Sequence, residues 1–226
     1  MPQPTGRRKL IAFIDGFNLY YGLLRDTPHY KWLDLHKAIR MLFPHYDVVQ
    51  VKYFTAEVTN DQKRKDRQTT YWQALEARQV KIIKGRLEER YKDCNAKQCT
   101  FTGFRRYSIP VEKRTDVNIA LHIVTDARNM KPDAICIISA DTDLIPAMEM
   151  VAAYYPCQRF AFIPCPEQNL KYRRVDEFEM HRWETKRLVE EIISDCRLDE
   201  TIIGPDGNEI RCPAEWAKPA STAASS

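Results

Sequence analysis

Residues 134–143 read AICIISADTD. The stretch from Ala134 to Ala140 is nearly continuous apolar sequence without polar alternation, which predicts a strand buried on both faces, as in a parallel sheet. It stops at Asp141-Thr142-Asp143, where a helix is expected to open over Asp143–Tyr154. Upstream, Lys9 to Ile14 is a second short apolar run, and it too stops at an aspartate, Asp15-Gly16. Further strands are predicted at Val48–Phe54, Val80–Arg86 and Arg159–Ile163. Helices are predicted at Phe17–Leu24, Leu33–Leu42, Asp61–Arg78 and Thr115–Asn129. In the last of these, positions 117, 120, 121 and 124 form one apolar stripe, and Ile119 and Ile123 add a second side. That helix is therefore expected to be sandwiched between layers. Strands alternating with helices of about a dozen residues argue for an α/β fold with a mostly parallel sheet.

Outside this rhythm lie residues 88–112, rich in charges and aromatics. An amphipathic helix is predicted at Glu184–Cys196, and a hairpin at Ile202–Cys212 around Pro205-Asp206-Gly207. The domain plan is a loose arm at 1–8, one α/β domain at 9–183, a small helix-and-hairpin appendage at 184–212, and a disordered tail at 213–226 rich in Pro, Ala and Ser.

The chain has 226 residues, 44% hydrophobic and 29% charged, which excludes a disordered chain and supports one sizeable core. No stretch approaches the roughly 18 apolar residues of a membrane helix, and the run Leu10–Ile14 is too short for a signal peptide. A cytoplasmic protein with no membrane partner is expected. The net charge of +4 permits a polyanionic partner without requiring one. Seven cysteines then read as reduced thiols. Cys94 and Cys99 supply only two of the four ligands that a structural zinc needs.

In an open parallel sheet, ligands bind beyond the carboxyl ends of the strands. Asp15, Asp141 and Asp143 fall there, and Asp116 opens the helix at Thr115. Singly, each could be a helix cap or a turn former. Together they would repel one another unless a cation compensates, and carboxylate oxygens suit Mg²⁺ or Mn²⁺. Such a site can activate water against a phosphodiester. A phosphatase of the haloacid dehalogenase type would place a second Asp at position 17, where this chain has Phe17.

Three segments carry a family resemblance. Phe13-Ile14-Asp15-Gly16-Phe17-Asn18-Leu19, Glu112-Lys113-Arg114-Thr115-Asp116-Val117-Asn118-Ile119-Ala120 and Ile138-Ser139-Ala140-Asp141-Thr142-Asp143-Leu144 resemble, in this order, the motifs of the NYN domain family within the PIN-like nuclease superfamily. The bacterial LabA-like branch is the nearest match, and the resemblance covers roughly residues 8 to 183. Arg114 and Ala140 stand where that family commonly has Gly. The resemblance implies a PIN-like α/β/α sandwich and a divalent-metal-dependent ribonuclease. Asp15, Asp116, Asp141 and Asp143 would be its catalytic, metal-holding carboxylates. Asn18 would orient a carboxylate or a metal-bound water, with Asn118 and Thr142 in support.

For an RNA track, Lys113, Arg114, Arg173 and Arg174 are the favoured bases, because the motifs place them near the carboxylates. Interleaved aromatics suit a single strand. Lys63, Arg64, Lys65 and Arg67 read instead as a solvated helix face, since Asp61 and Asp66 alternate with them. Two other readings stand beside the ribonuclease: an RNA-binding or regulatory module with a weak or inactive pocket, and a small-molecule phosphohydrolase. A homodimer fits the family, and the sequence does not decide it.

Overall fold

The computed structural model describes residues 6–58, 61–94, 106–164 and 174–218. Its centre is a six-stranded, wholly parallel sheet of β1 (Arg8–Asp15), β2 (Tyr46–Thr55), β3 (Val80–Lys84), β6 (Ala134–Ile138), β7 (Gln158–Pro164) and β8 (Glu184–Leu188). Their order across the sheet is β3-β2-β1-β6-β7-β8. The chain winds outward from β1 to one edge, then returns and winds to the other. The reversal lies between β1 and β6.

β1 is buried from Leu10 to Asp15 because both its faces are covered. Leu10, Ala12 and Ile14 join one apolar cluster beneath α2 (Leu35–Leu42) and α3 (Gln62–Ala77). Ile11 and Phe13 join the other, beneath α4 (Thr115–Met130), α5 (Ile145–Tyr154) and α6 (Arg174–Met180). The side-chain period of two thus fills two cores with one strand. The result is the expected α/β/α sandwich, and among the described residues no helix is long and apolar enough to cross a membrane.

Helix α4 departs from expectation. Val117 and Leu121 are each 62% exposed, whereas Thr115, Ile119, Ile123, Asp126 and Ala127 are buried. The helix covers the sheet with one face only, and the stripe at 117, 120, 121 and 124 is not its core face. The buried face was hidden by Asp126, whose carboxylate is paired with the equally buried ammonium of Lys52 on β2. Lys52 Nζ also lies 3.0 Å from His122 Nδ1. Nδ1 therefore accepts from the ammonium, and the imidazole proton sits on Nε2. Burial and Lys52 both hold the His122 pKa below its ordinary value.

The C-terminal quarter also differs. Glu184–Leu188 is not the start of a helix but the edge strand β8, paired with β7 from Phe160↔Glu184 to Pro164↔Leu188. Its sequence ETKRL buries Thr185 and Leu188 and turns Glu184 and Lys186 outward, the charged profile of a sheet edge. Only α7 (Glu190–Ile193) is helical there. The hairpin is present as β9 (Thr201–Ile203) and β10 (Glu209–Arg211). Within the tail expected to be loose from 213, the described residues 213–218 pack onto the domain: Trp216 sits against Trp32 and Tyr71, at 6.5 and 6.1 Å between ring centroids. Trp32, fully buried, donates from Nε1 to the Asp199 carbonyl at 2.8 Å.

Residues 86–113 hold a further element that the irregular composition concealed. β4 (Arg86–Asp93) and β5 (Arg106–Lys113) form an antiparallel ribbon of their own, separate from the main sheet.

Candidate active site

The carboxyl end of β1 carries Asp15, 2% exposed. It caps α1 (Gly16–Leu19), accepting from the amides of Phe17 at 3.1 Å and Asn18 at 3.0 Å. Its second oxygen accepts from Asn18 Nδ2 at 2.6 Å and from Ser139 Oγ at 3.0 Å. Gly16 is required beside it, since a Cβ there would lie 2.6 Å from the Phe54 carbonyl and 2.7 Å from the Tyr53 hydroxyl.

Ser139 and Asn18 join this tip to that of β6. The Ser139 hydroxyl accepts from the Asp141 amide at 3.0 Å, and Asn18 Oδ1 accepts from the Ala140 amide at 3.2 Å. Asp141 in turn caps the short 3₁₀ turn Thr142–Leu144, accepting from the Asp143 amide at 3.0 Å. Asp15 and Asp141 thus face each other across the point where the winding of the sheet reverses, the position at which open α/β sheets bind ligands.

The remaining acids come from the ribbon and from α4. Arg114, with φ +75°, turns the chain from β5 into α4, and Asp116 follows in the first helical turn. Burial pushes the Asp116 carboxyl up to about 6, reinforced by repulsion from Asp141, Asp15 and Asp143. Burial also raises Asp15, with Asp141 adding to it, against the opposing hydrogen bonds from Asn18 and Ser139. The structure therefore brings Asp116 within electrostatic reach of Asp141, Asp15 and Asp143.

Two groups enter that sequence reading had left without a role. Glu112 is pushed up to about 7, mainly by burial, then by Asp15 and Asp116. Its Oε1 is buried with no hydrogen-bond partner. Ser139 is the hydroxyl that ties Asp15 to Asp141. Both lie inside the quoted motifs, so the signal was their place four and two residues before an aspartate. Asn118 and Thr142 are half-buried beside the acids. Lys113 is half-buried and Arg114 exposed at the same edge. Arg173, the side chain of Arg174 and Cys99 lie outside the described residues. Cys94 carries a free thiol.

Among the described residues no three His, Cys, Asp or Glu side chains form a group that could hold a metal ion as they stand. The donor set nevertheless fits a hard cation: oxygen donors only, an orphaned carboxylate oxygen at Glu112, and raised pKa values that a positive charge would relieve. Mg²⁺ keeps several waters and needs only one or two protein carboxylates, so it does not demand a cage.

A testable consequence follows for the metal-free protein. Because the folded-state pKa of Asp116 is raised, its contribution to stability is present at low pH and lost as pH rises through about 6. Asp116→Asn should therefore stabilise the metal-free protein more at pH 7.5 than at pH 5. Solvent screening of this part-exposed group limits the difference to about 1 kcal/mol. Urea midpoints in EDTA at the two pH values read it, and equal gains would remove the repulsion.

Comparison with known proteins agrees with this architecture. The family model described as the NYN domain matches residues 9–174. A solved structure of a protein of unknown function from Vibrio parahaemolyticus RIMD 2210633 superposes with a TM-score of 0.54 at 16% identity, covering 85% of this chain and 99% of the other. A curated relative, 6-hydroxy-3-succinoylpyridine 3-monooxygenase HspA of Pseudomonas putida (strain DSM 28022 / S16), is 28% identical over 228 residues, 85% of this chain and 70% of its own length. On the match spanning most of the sheet and all four aspartates, the chain belongs to the NYN domain family, and its sandwich is the PIN-like fold of that nuclease-like superfamily.

Proposed function

We propose that this protein is a ribonuclease that hydrolyses RNA phosphodiester bonds with Mg²⁺ or Mn²⁺ held by Asp15, Asp116, Asp141 and Asp143. The observation that carries the reading is the meeting of Asp15 and Asp141, tied through Ser139 and Asn18, with Asp116 close by, at the reversal point of a parallel sheet. When bound, the cation would activate water and offset charge on the phosphate. Asp15 is held in place for this by its cap bonds and by Ser139. Asn18 keeps the β1 tip against Ala140. Glu112, pushed up to about 7 by burial and by the neighbouring acids, can hold a proton within the acidic field. Lys113 and Arg114 stand where the strand would enter, and Arg173 and Arg174 are proposed to extend that track.

Arg114 offers a direct check. A side chain in the left-handed region costs about 1 kcal/mol relative to Gly. Arg114→Gly should raise stability by about that amount while weakening RNA binding several-fold. Gain of stability with unchanged affinity would remove Arg114 from the track.

The deciding experiment incubates purified protein with labelled single-stranded RNA and DNA in EDTA, Mg²⁺ or Mn²⁺, alongside Asp141→Asn. Metal-dependent RNA cleavage that is absent in the variant supports the reading. RNA left intact in both metals overturns it, and brings forward either a binding module or oxidative chemistry of the kind named for the Pseudomonas relative.

A further inference from the structure

The β4–β5 ribbon has two faces of opposite character. Register pairs Arg86 with Lys113, Glu88 with Val111, Arg90 with Ile109 and Lys92 with Tyr107. Side chains alternate along each strand, so these eight share one face. It carries four cations and one carboxylate. The other face holds Leu87, Glu89, Tyr91 and Asp93, with Glu112, Ser108 and Arg106 on the facing strand. It carries three carboxylates and one cation, and its Arg106 is already engaged over the Tyr91 ring at 5.2 Å.

The cations of the first face are available. Among the described residues Arg90, Lys92 and Lys113 have no carboxylate partner, and only Arg86 has one, Glu88 at 3.8 Å. Tyr107 is 49% exposed beside Lys92. The contrast is helix α3, whose bases are largely neutralised: Arg64 by Asp61 at 3.3 Å, Lys65 by Glu57 at 3.2 Å and Arg67 by Glu215 at 2.6 Å.

The ribbon is also fixed to the site at its base. Gly85, just before Arg86, donates to the Thr55 carbonyl at 2.6 Å, and a Cβ there would lie 2.3 Å from Thr115 Oγ1. Glu112 sits in the acidic field, and Lys113 and Arg114 lead directly into the helix that bears Asp116.

We infer that the basic face of this ribbon holds the sugar–phosphate backbone of single-stranded RNA, with Tyr107 as a stacking surface for one base; the choice of polyanion rests on the ribonuclease reading above. Unpaired cations interleaved with an exposed aromatic match a flexible strand, which presents both phosphates and base faces. A strand on this face leaves the ribbon at Lys113 and Arg114, which lead directly into the helix that bears Asp116. Each strand of the ribbon spans about 25 Å, so it grips nucleotides beyond the one being cleaved.

The test measures fluorescence anisotropy of a labelled 15-nucleotide RNA with the full chain in EDTA across a salt series. Arg90→Ala/Lys92→Ala should weaken binding about tenfold or more and reduce the slope of log affinity against log salt by about 1.4, the loss of two phosphate contacts. Tyr107→Ala should weaken binding about tenfold with the slope unchanged. Arg64→Ala/Lys65→Ala on α3 should stay within twofold of the parent. All the replaced side chains are surface groups, and circular dichroism checks that the fold is kept. A ribbon double variant with parental affinity and slope overturns the assignment. RNA bound through the ribbon but cleaved in neither Mg²⁺ nor Mn²⁺ supports the ribbon assignment and overturns the ribonuclease reading alone. A ribbon variant that still cleaves a dinucleotide while failing on the longer RNA supports both.

Discussion

Asp15→Asn is expected to lower metal-dependent RNA cleavage about a thousandfold, the scale seen when a charge-stabilising group is removed from a preorganised site. The substitution separates two roles. Asn caps helices as well as Asp does, so the bonds from the Phe17 and Asn18 amides can persist. The buried negative charge is lost, and with it a cost of folding, because burial holds the Asp15 pKa up. The new amide nitrogen, however, faces Asn18 Nδ2 and Ser139 Oγ where the carboxylate had accepted from both, so the stability of the metal-free variant should stay within about 1 kcal/mol of the parent. Asp15→Ala removes the cap too and should cost about 1–2 kcal/mol. Cleavage within tenfold of the parent in a folded Asp15→Asn protein would show that the cation is held elsewhere.

The largest effect on stability is expected on the other side of the chain's chemistry, at Asp126. Asp126→Ala leaves the Lys52 ammonium, 3% exposed, without its counter-charge between β2 and α4. Breaking a buried pair from one side costs about 3–5 kcal/mol, a large share of the stability of a domain this size. The His122 ring cannot replace the carboxylate, since a neutral imidazole accepts one hydrogen bond and carries no charge. Lys52→Met/Asp126→Leu, which removes both charges and retains the volume, should recover most of the loss. Denaturant midpoints of the two variants decide it: a single variant within 1 kcal/mol of the parent would mean that water reaches Lys52.

These two residues also mark where the sequence was and was not transparent. The tips of β1 and β6 were readable because strands buried on both faces must be apolar throughout, so an aspartate at the end stands out. Asp126 follows Ile123 by three residues on the buried face of α4, and nothing local marks it as buried. Its burial depends on Lys52, 74 residues away, and no local pattern announces a long-range pair. The same dependence misdirected the helix stripe toward Val117 and Leu121, which face water. The edge strand β8 escaped because its charged alternation ETKRL fits a surface helix as well as a sheet margin. The ribbon escaped because most of β4 faces solvent, so no apolar alternation marks it. Ser139 was absorbed into the apolar run that surrounds it, though its hydroxyl joins the two strand tips.

The junction of the ribbon has one more consequence. Arg86 and Lys113 stand opposite each other, so the chain departs from the sandwich and rejoins it at the same place. Between those two points, residues can be gained or lost in pairs without shifting the register of the central sheet. Apart from Glu112, which belongs to the acidic site, the segment is thus free to drift in length and composition. The aspartates at the strand tips have no such latitude. Divergence among proteins built this way should accumulate in the ribbon while the strand tips stay fixed.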